Sequence, residues 1–136
     1  MFETFDHTAD IGLRIRAANV EALFCDAGRG LISLMVDNAN EISPRDRMTI
    51  SIPGKEIEYL MFDWLNELLY RFETEKWLFS DFEVRMTPQG LEATATGEPF
   101  DPLRHRLSHE VKAVTYHHLV VEQSPSGWLA EIIFDI

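Results

Sequence analysis

The last two residues carry the groups in this sequence that best suit metal chemistry. Asp135 and Ile136 end the chain directly after Trp128 to Phe134, a mainly apolar run without a turn residue. Most termini fray, but a strand held to its last residue would bring the Asp135 carboxylate close to the main-chain carboxylate of Ile136. Two hard oxygen donors in such proximity repel each other unless a cation lies between them. The sequence therefore offers half of a metal site, or else an ordinary edge strand with a solvated acidic end.

A hairpin is predicted to hold this terminus in place. Residues 111–122 alternate between two faces with a period of two, as a strand does. The following Ser124-Pro125-Ser126-Gly127 has the composition of a tight turn, because its proline fixes φ and its glycine suits the last turn position. Pairing Ser124 with Gly127 predicts that Asp135 lies opposite Tyr116.

A second acidic segment lies near the start of the chain. Asp6-His7-Thr8-Ala9-Asp10 separates two short apolar runs that are predicted strands. It is either a connection that bonds its own backbone through Asp6 and Thr8, or a ligand loop that offers Asp6, His7 and Asp10. The residue types alone leave both interpretations open.

The histidines suggest a different metal chemistry, but they lack a supporting motif. No His-Glu-x-x-His is present, since Ala113 stands where His109-Glu110 would need its second histidine, and the single Cys25 rules out a cysteine pair. The sequence also contains no nucleophile elbow, Walker loop or dinucleotide fingerprint. A stand-alone metal hydrolase with His7, His109 or His118 as general base remains an alternative. The histidines considered for a zinc site are His105, His109, His117 and His118.

Two helices and about seven strands must position these groups. Asn19 is a suitable N-cap for a helix that reaches about Met35, and a longer apolar stripe predicts a second helix over 56–75. Gly28 and Gly30 inside the first helix predict a close approach of its backbone to a sheet. The predicted strands are residues 2–7, 11–17, 48–52, 79–86, 91–97, 111–122 and 128–134.

This order of elements predicts an α+β fold. We expect one compact domain over residues 1–136, with a mainly antiparallel sheet and both amphipathic helices packed on one side of it. A chain of 136 residues can bury a sufficient core without disulfides. Residues 100–108 combine prolines with a local basic patch, and we predict a mobile loop there.

The charge of the chain narrows the classes of partner. A formal net charge of −11 argues against stable direct binding to nucleic acid, which needs clustered Lys and Arg. It favours cations or a basic protein surface. The single cysteine favours a reducing compartment, and without an export signal or membrane span we expect a soluble cytoplasmic protein.

Four segments together resemble the archease family, over nearly the whole chain. The resemblance implies the archease fold and a protein that is not itself an enzyme but activates the GTP-dependent RNA ligase of tRNA splicing and RNA repair. It implies that the protein promotes guanylylation of the active-site histidine of that ligase, which then turns over many times. The segments are Asp6-His7-Thr8-Ala9-Asp10-Ile11-Gly12, Trp64-Leu65-Asn66-Glu67-Leu68-Leu69-Tyr70, His109-Glu110-Val111-Lys112-Ala113-Val114-Thr115-Tyr116-His117 and Asp135-Ile136.

The resemblance also implies the residues of a site. Asp10, Asp135 and the terminal carboxylate of Ile136 would hold a divalent cation, usually Ca²⁺, whereas GTP and Mn²⁺ belong to the partner ligase. The functionally important lysine of the family corresponds to Lys112. The predicted register puts Lys112 four residues from the position opposite Asp135, about 13 Å along the strand. We therefore expect Lys112 to contact the ligase or its nucleotide rather than the metal.

Two further functions stay open at this point. One is a chaperone or specificity modulator of RNA-modifying enzymes such as tRNA methyltransferases, which the resemblance also suggests. The other is the metal hydrolase considered above. Neither has a sequence motif of its own in this chain.

Overall fold

The computed structural model describes residues 1–7 and 9–136, without the side chain of His7. The two helices and the central strands lie within a few residues of their predicted bounds. In chain order the elements are β1 (Phe2–His7), β2 (Asp10–Ala17), α1 (Val20–Met35), a 3-10 helix (Ala39–Glu41), β3 (Asp46–Pro53), α2 (Ile57–Glu75), β4 (Trp77–Thr87), β5 (Gly90–Pro99), β6 (Ala113–Val114), β7 (Val120–Ser124) and β8 (Gly127–Asp135).

The strands form two antiparallel sheets. The first has the order β1-β2-β8-β6, with β7 pairing on the same edge of β8 as β6, and the second has the order β3-β5-β4. The α+β prediction with antiparallel pairing is confirmed, but the expectation of a single sheet covered on one side is wrong. Each helix contacts strands of both sheets. The reason is visible in α1, where nine of 16 residues are buried, a surface too wide for one sheet to cover.

The start and the middle of α1 confirm two local predictions. Asn19 is the N-cap, and its side-chain oxygen accepts a hydrogen bond from the Ala22 amide at 2.8 Å. A Cβ on Gly28 would lie 2.7 Å from the Phe82 ring, and a Cβ on Gly30 would lie 2.6 Å from Leu13. These two glycines therefore let the helix backbone approach a strand from each sheet.

The helix α2 packs its apolar stripe into the same core. The Trp64 ring is fully buried, and its indole nitrogen donates a hydrogen bond to the Phe24 carbonyl of α1 at 2.9 Å. This bond satisfies the one polar atom of the largest core side chain and joins the two helices. Neither helix in the described part of the chain has the length and apolar character needed to cross a membrane.

The C-terminal hairpin differs from its prediction in one decisive detail. Ser124 pairs with Gly127 as predicted, but the expected strand over 111–122 is broken into β6 and β7. Between them His118 adopts a left-handed φ of 55°, and the Leu119 amide donates to the Tyr116 carbonyl at 3.2 Å. This turn takes three residues out of the ladder, so Asp135 lies opposite Ala113 and not opposite Tyr116.

The basic segment over 100–108 is tied down rather than loose, contrary to the prediction of a mobile loop. Arg104 forms two bonds to the carboxylate of Glu98, at 2.6 and 2.9 Å, and His105 Nε2 lies 2.9 Å from the same carboxylate. The Asn38 side chain bonds the backbone of Arg104 and Arg106. Arg104 and His105, two of the three basic residues that suggested a solvated loop, are thus attached to Glu98, which is only 3% exposed.

Candidate metal and partner-binding site

Asp10 and Asp135 lie directly opposite each other in the five-stranded sheet. Asp10 begins β2 and Asp135 ends β8, and the two are cross-strand partners. On its other side Asp135 is paired with Ala113 of β6. Residues directly opposite on neighbouring strands project from the same face. The structure therefore brings together the two aspartates that the sequence singled out.

The face that carries both aspartates is the outer face of this sheet. Ala130, Ile132 and Phe134 of β8 are fully buried, and Asp135 has the opposite parity. Asp135 is exposed and Asp10 is half-buried. Directly opposite Cβ atoms are about 4.5–5.5 Å apart, and like charges in such a pair are destabilising. A cation that accepts oxygen ligands from both side chains would remove this repulsion.

The chain terminus is held beside the two aspartates. Ile136 is half-buried and packs against the hydrophobic core, so its carboxylate is anchored one residue from Asp135. The main-chain amide of Lys112 donates to the Asp135 carbonyl at 2.7 Å, which fixes the end of β8 from the β6 side. Three carboxylates, two from side chains and one from the main chain, can thus converge at this tip. We call Asp10, Asp135 and the terminal carboxylate the carboxylate tip.

The donor chemistry of the carboxylate tip limits which metal it suits. Within residues 1–7 and 9–136, no three His, Cys, Asp or Glu side chains are placed to hold a metal ion together. A site built here would thus depend on the terminal carboxylate and on water to complete its ligands. All-oxygen ligation of this kind fits Ca²⁺, Mg²⁺ or Mn²⁺ better than zinc.

Lys112 lies closer to Asp135 than the sequence implied. The predicted separation of about 13 Å along the strand is wrong, because Ala113 and not Tyr116 is opposite Asp135. Lys112 is the residue next to Ala113, and alternation places it on the other face of the sheet from the two aspartates. What separates the Lys112 side chain from the aspartates is therefore the face of the sheet and not the distance along it.

On that other face, Lys112 lines a groove of about 540 Å³. The groove lies between the last turns of both helices and the segment before β6. Lys76 lies on the same groove, 5.2 Å from the centre of the Phe72 ring, as the left-handed C-cap of α2. Two of the three lysines of the chain, Lys76 and Lys112, therefore line this groove. The apolar walls are Met35, Phe72, Phe100, Leu107 and Val111.

The remaining candidate ligands from the N-terminal segment do not join the pair in the described part of the chain. Asp6 is the partner of Ile11 and so lies on the face opposite to Asp10. Asp10 belongs to β2 itself and not to a loop. Thr8 and the side chain of His7 lie outside the described residues, so the two interpretations of this connection are not decided there.

The four histidines considered for zinc do not form one cluster. His105 is buried beside Glu98, with its Nδ1 accepting a hydrogen bond from the Asp101 amide at 2.9 Å. In neutral His105 the proton is therefore on Nε2, where it is donated to Glu98. The rings of His117 and His118 lie 3.9 Å apart in the turn between β6 and β7, while His109 lines the groove. His105, His109 and the His117–His118 pair thus lie in three separate environments rather than in one shared site.

An aromatic cluster beside the carboxylate tip was not predicted. Tyr116 leaves the strand at the break after β6 and packs on α2, with ring centroids 5.4 Å from Tyr59 and 4.6 Å from Phe62. Partial burial among these rings raises the pKa of Tyr116, and the charges of Tyr59, Asp63, Glu58 and Glu56 raise it further. The spacing of Tyr59 and Phe62 on α2 was visible in the sequence, but nothing local showed that Tyr116 would reach them.

Comparisons with known proteins agree over the full length of the chain. A model of the Archease protein family matches residues 2–136. Protein archease of Methanopyrus kandleri is 37% identical over 139 residues, covering 99% of each chain, and protein archease of Pyrococcus furiosus is 36% identical over 140 residues, covering 99% of this chain and 98% of that protein.

Solved structures show the same fold. The solution structure of Methanobacterium thermoautotrophicum protein 1598 superimposes with a TM-score of 0.81 at 28% identity, covering 99% of this chain and 98% of that one. A Thermotoga maritima crystal structure, described as an archease and possible chaperone, gives a TM-score of 0.69 at 22% identity over 100% of this chain and 98% of that one.

Proposed function

The chain belongs to the archease family, and on that premise we propose that it is a cytoplasmic activator of a GTP-dependent RNA ligase of tRNA splicing and RNA repair. The proposed activity is to promote transfer of guanylate from GTP to the active-site histidine of the ligase, so that each ligase molecule turns over repeatedly. GTP and Mn²⁺ belong to the ligase. The chain itself contributes a surface and a bound cation, and the chemistry of RNA joining stays with its partner.

The cross-strand pairing of Asp10 with Asp135 is the observation that supports this proposal most directly. Two carboxylates on adjacent strands, next to an anchored chain terminus, suit a divalent cation of the size and hardness of Ca²⁺. The proposed ligands are Asp10, Asp135 and the terminal carboxylate of Ile136, with water completing the coordination. At the end of a sheet, this tip could reach a recessed nucleotide site on another protein.

Lys112 is the proposed second functional group. It is exposed, and it is attached through its own amide to the backbone of Asp135. Because its side chain lies on the other face of the sheet, we assign it to contact with the ligase or with the nucleotide held there, and not to the cation. Its ammonium would then neutralise phosphate charge from one side while the carboxylate tip acts from the other.

The experiment that tests this function is transfer of labelled guanylate from GTP to a cognate RNA ligase. We expect the unmodified protein to accelerate labelling of the ligase, and Asp10→Ala and Asp135→Ala to abolish the acceleration. Glu122→Ala is the matched control, because Glu122 is an exposed carboxylate on β7, which pairs with the same strand β8. Stimulation by Asp135→Ala equal to that by the unmodified protein would refute the role of the carboxylate tip.

The same assay separates the alternatives. If the unmodified protein had no effect on guanylylation but changed the product pattern of a tRNA methyltransferase, the function would be that of a modulator of RNA-modifying enzymes. Metal-dependent turnover of simple phosphoesters by the purified protein alone would instead indicate a hydrolase. We expect neither result.

A further inference from the structure

The aromatic cluster on α2 forms an exposed patch together with three carboxylates. Tyr59 is 56% exposed and Tyr116 is 43% exposed, although their rings already contact each other. Tyr59 lies on the regular helix α2 and Tyr116 at the break between β6 and β7, and both leave a large aromatic surface in solvent. We define the aromatic–acidic patch as Tyr59, Phe62, Tyr116, Glu56, Glu58 and Asp63.

The position of Tyr116 is set by the break in the strand. The Thr115 amide still bonds to the Ile133 carbonyl at 3.0 Å, so the chain remains on the sheet up to that residue. Tyr116 follows directly and lies over α2, and the left-handed His118 completes the turn before the chain rejoins β8 at Val120. A left-handed φ in a non-glycine residue carries an energetic cost. The conformation keeps the tyrosine ring on the helix surface instead of continuing the ladder.

The patch has a definite electrostatic character. Partial burial raises the pKa of the Tyr116 hydroxyl, and the negative charges of Glu56, Glu58 and Asp63 raise it further. Aromatic faces surrounded by carboxylates attract guanidinium and ammonium groups through both cation–π and ionic interactions. The net charge of −11 extends this preference beyond the patch.

The patch lies next to the carboxylate tip. Tyr116 comes three residues after Ala113, the cross-strand partner of Asp135, which is about 10 Å of extended backbone. A partner that received the tip would therefore meet the patch at the edge of the same contact. The patch and the tip together would form one binding surface on two faces of the end of the sheet.

We propose that the aromatic–acidic patch docks onto an arginine- and lysine-rich surface of the partner RNA ligase, beside the site that the carboxylate tip enters. This inference rests on the proposed function. Its physical basis is charge complementarity, because an enzyme that holds RNA must present clustered cations to the phosphate backbone. Exposed rings flanked by carboxylates offer those cations the same two contacts, stacking and negative charge, that single-stranded RNA offers.

The test measures how ligase guanylylation depends on the concentration of this protein. The patch variant is Tyr59→Ala with Asp63→Lys. At about 0.15 M salt we expect its half-saturating concentration to rise about tenfold or more, with the maximal rate at saturation retained. We also expect added salt and added single-stranded RNA each to raise the half-saturating concentration of the unmodified protein more steeply than that of the patch variant.

The matched control carries the same changes elsewhere. Tyr70→Ala with Glu83→Lys alters net charge identically, and Tyr70 is 57% exposed on the same helix, about 17 Å from Tyr59. This control should retain the half-saturating concentration of the unmodified protein. Stimulation by the patch variant at an unchanged half-saturating concentration would overturn the docking surface and leave the activator function standing. Absence of stimulation by the unmodified protein would overturn both, and an equal loss in the control would refute the placement of the surface.

Discussion

Asp10 at the start of β2 is the cross-strand partner of Asp135 at the end of β8, so that two carboxylates share one face of the sheet at its end. Neither aspartate has this neighbour in the unfolded chain. A cation that binds between them should therefore bind the folded state preferentially and stabilise it. Binding of a cation at the proposed metal site can therefore be measured as a gain in the free energy of unfolding.

We expect Ca²⁺ to raise the melting temperature of the protein. At a concentration of about 100 times the Kd, the gain in the free energy of unfolding is about 2.7 kcal/mol. Asp135→Asn should lose this gain, because the amide keeps the shape of the side chain but removes a charged ligand. The measurement is thermal unfolding with and without added Ca²⁺, with Mg²⁺ and Mn²⁺ in parallel to identify the preferred ion.

The control for this prediction is Glu122→Gln, which removes a charge from the adjacent strand β7 and should retain the full response to Ca²⁺. An equal response in Asp135→Asn would show that the ion binds elsewhere on this acidic protein.

The terminal carboxylate can be tested separately from the Ile136 side chain. Deleting Ile136 moves the carboxylate to residue 135 and also removes a half-buried side chain that packs on the core. Ile136→Ala removes most of the same apolar surface but leaves the carboxylate in place. Both changes should lower the free energy of unfolding by about 1 kcal/mol, and only the deletion should abolish stabilisation by Ca²⁺. Loss of the Ca²⁺ response in Ile136→Ala as well would mean that side-chain packing, and not the terminal carboxylate, maintains the site.

Sequence patterns predicted the helices well because each pattern is local. The Asn19 cap acts within a few residues and the apolar stripe of α2 within one helix, while the glycines of α1 indicated a close approach without identifying the strands, and the structure confirms all three. The alternation over 111–122 predicted a continuous strand for the same reason, and that prediction failed. Tyr116 and Leu119 lie in the turn and pack on other parts of the protein. Apolar residues therefore continue at strand-like spacing through a segment that does not pair with β8.

These local patterns could not predict which elements far apart in the chain lie next to each other in the fold. The proximity of Asp10 and Asp135 was implied only by a family resemblance, because the spacing of residues within a strand does not identify the strand that pairs with it. The meeting of Lys76 with Lys112 across the groove, and of Tyr59 with Tyr116, depends on how α2 lies along β6. Only the packed arrangement of helices and sheets determines that relation.

The buried carboxylate of Glu98 should control stability in acid. Hydrogen bonds from Arg104, the Ser43 amide and His105 lower its pKa from 4.5 to about 2, against the opposing effect of burial. A carboxyl whose pKa is lower in the folded state stabilises the fold above pH 4.5, and that contribution disappears as the pH falls through about 2. The free energy of unfolding contributed by Glu98 should therefore decline across that interval.

Glu98→Gln isolates this contribution. Near neutral pH we expect it to cost about 2 kcal/mol, less than a fully buried ion pair would, because the Arg104 side chain is 45% exposed and regains water. The measurement is urea unfolding of both proteins as a function of pH. The difference between them should be constant near neutral pH and shrink below pH 4.5, and a difference that grew in acid would contradict the assigned pKa.

Lys112 provides the last prediction, because its amide and its ammonium have different roles. The hydrogen bond from the main-chain amide of residue 112 to the Asp135 carbonyl can form with any residue except proline. Lys112→Ala should therefore keep the structure of the carboxylate tip and its stabilisation by Ca²⁺. The ammonium is exposed on the groove face, and its loss should reduce the maximal rate of ligase guanylylation by about tenfold or more, as for a lost charge-assisted contact. Arg47→Ala on the edge strand β3 is the control, since it removes an exposed cation from the three-stranded sheet and should leave that rate unchanged. A Lys112→Ala protein that lost the response to Ca²⁺ together with activity would instead place the ammonium in the support of the metal site, and retention of both would remove Lys112 from the functional surface.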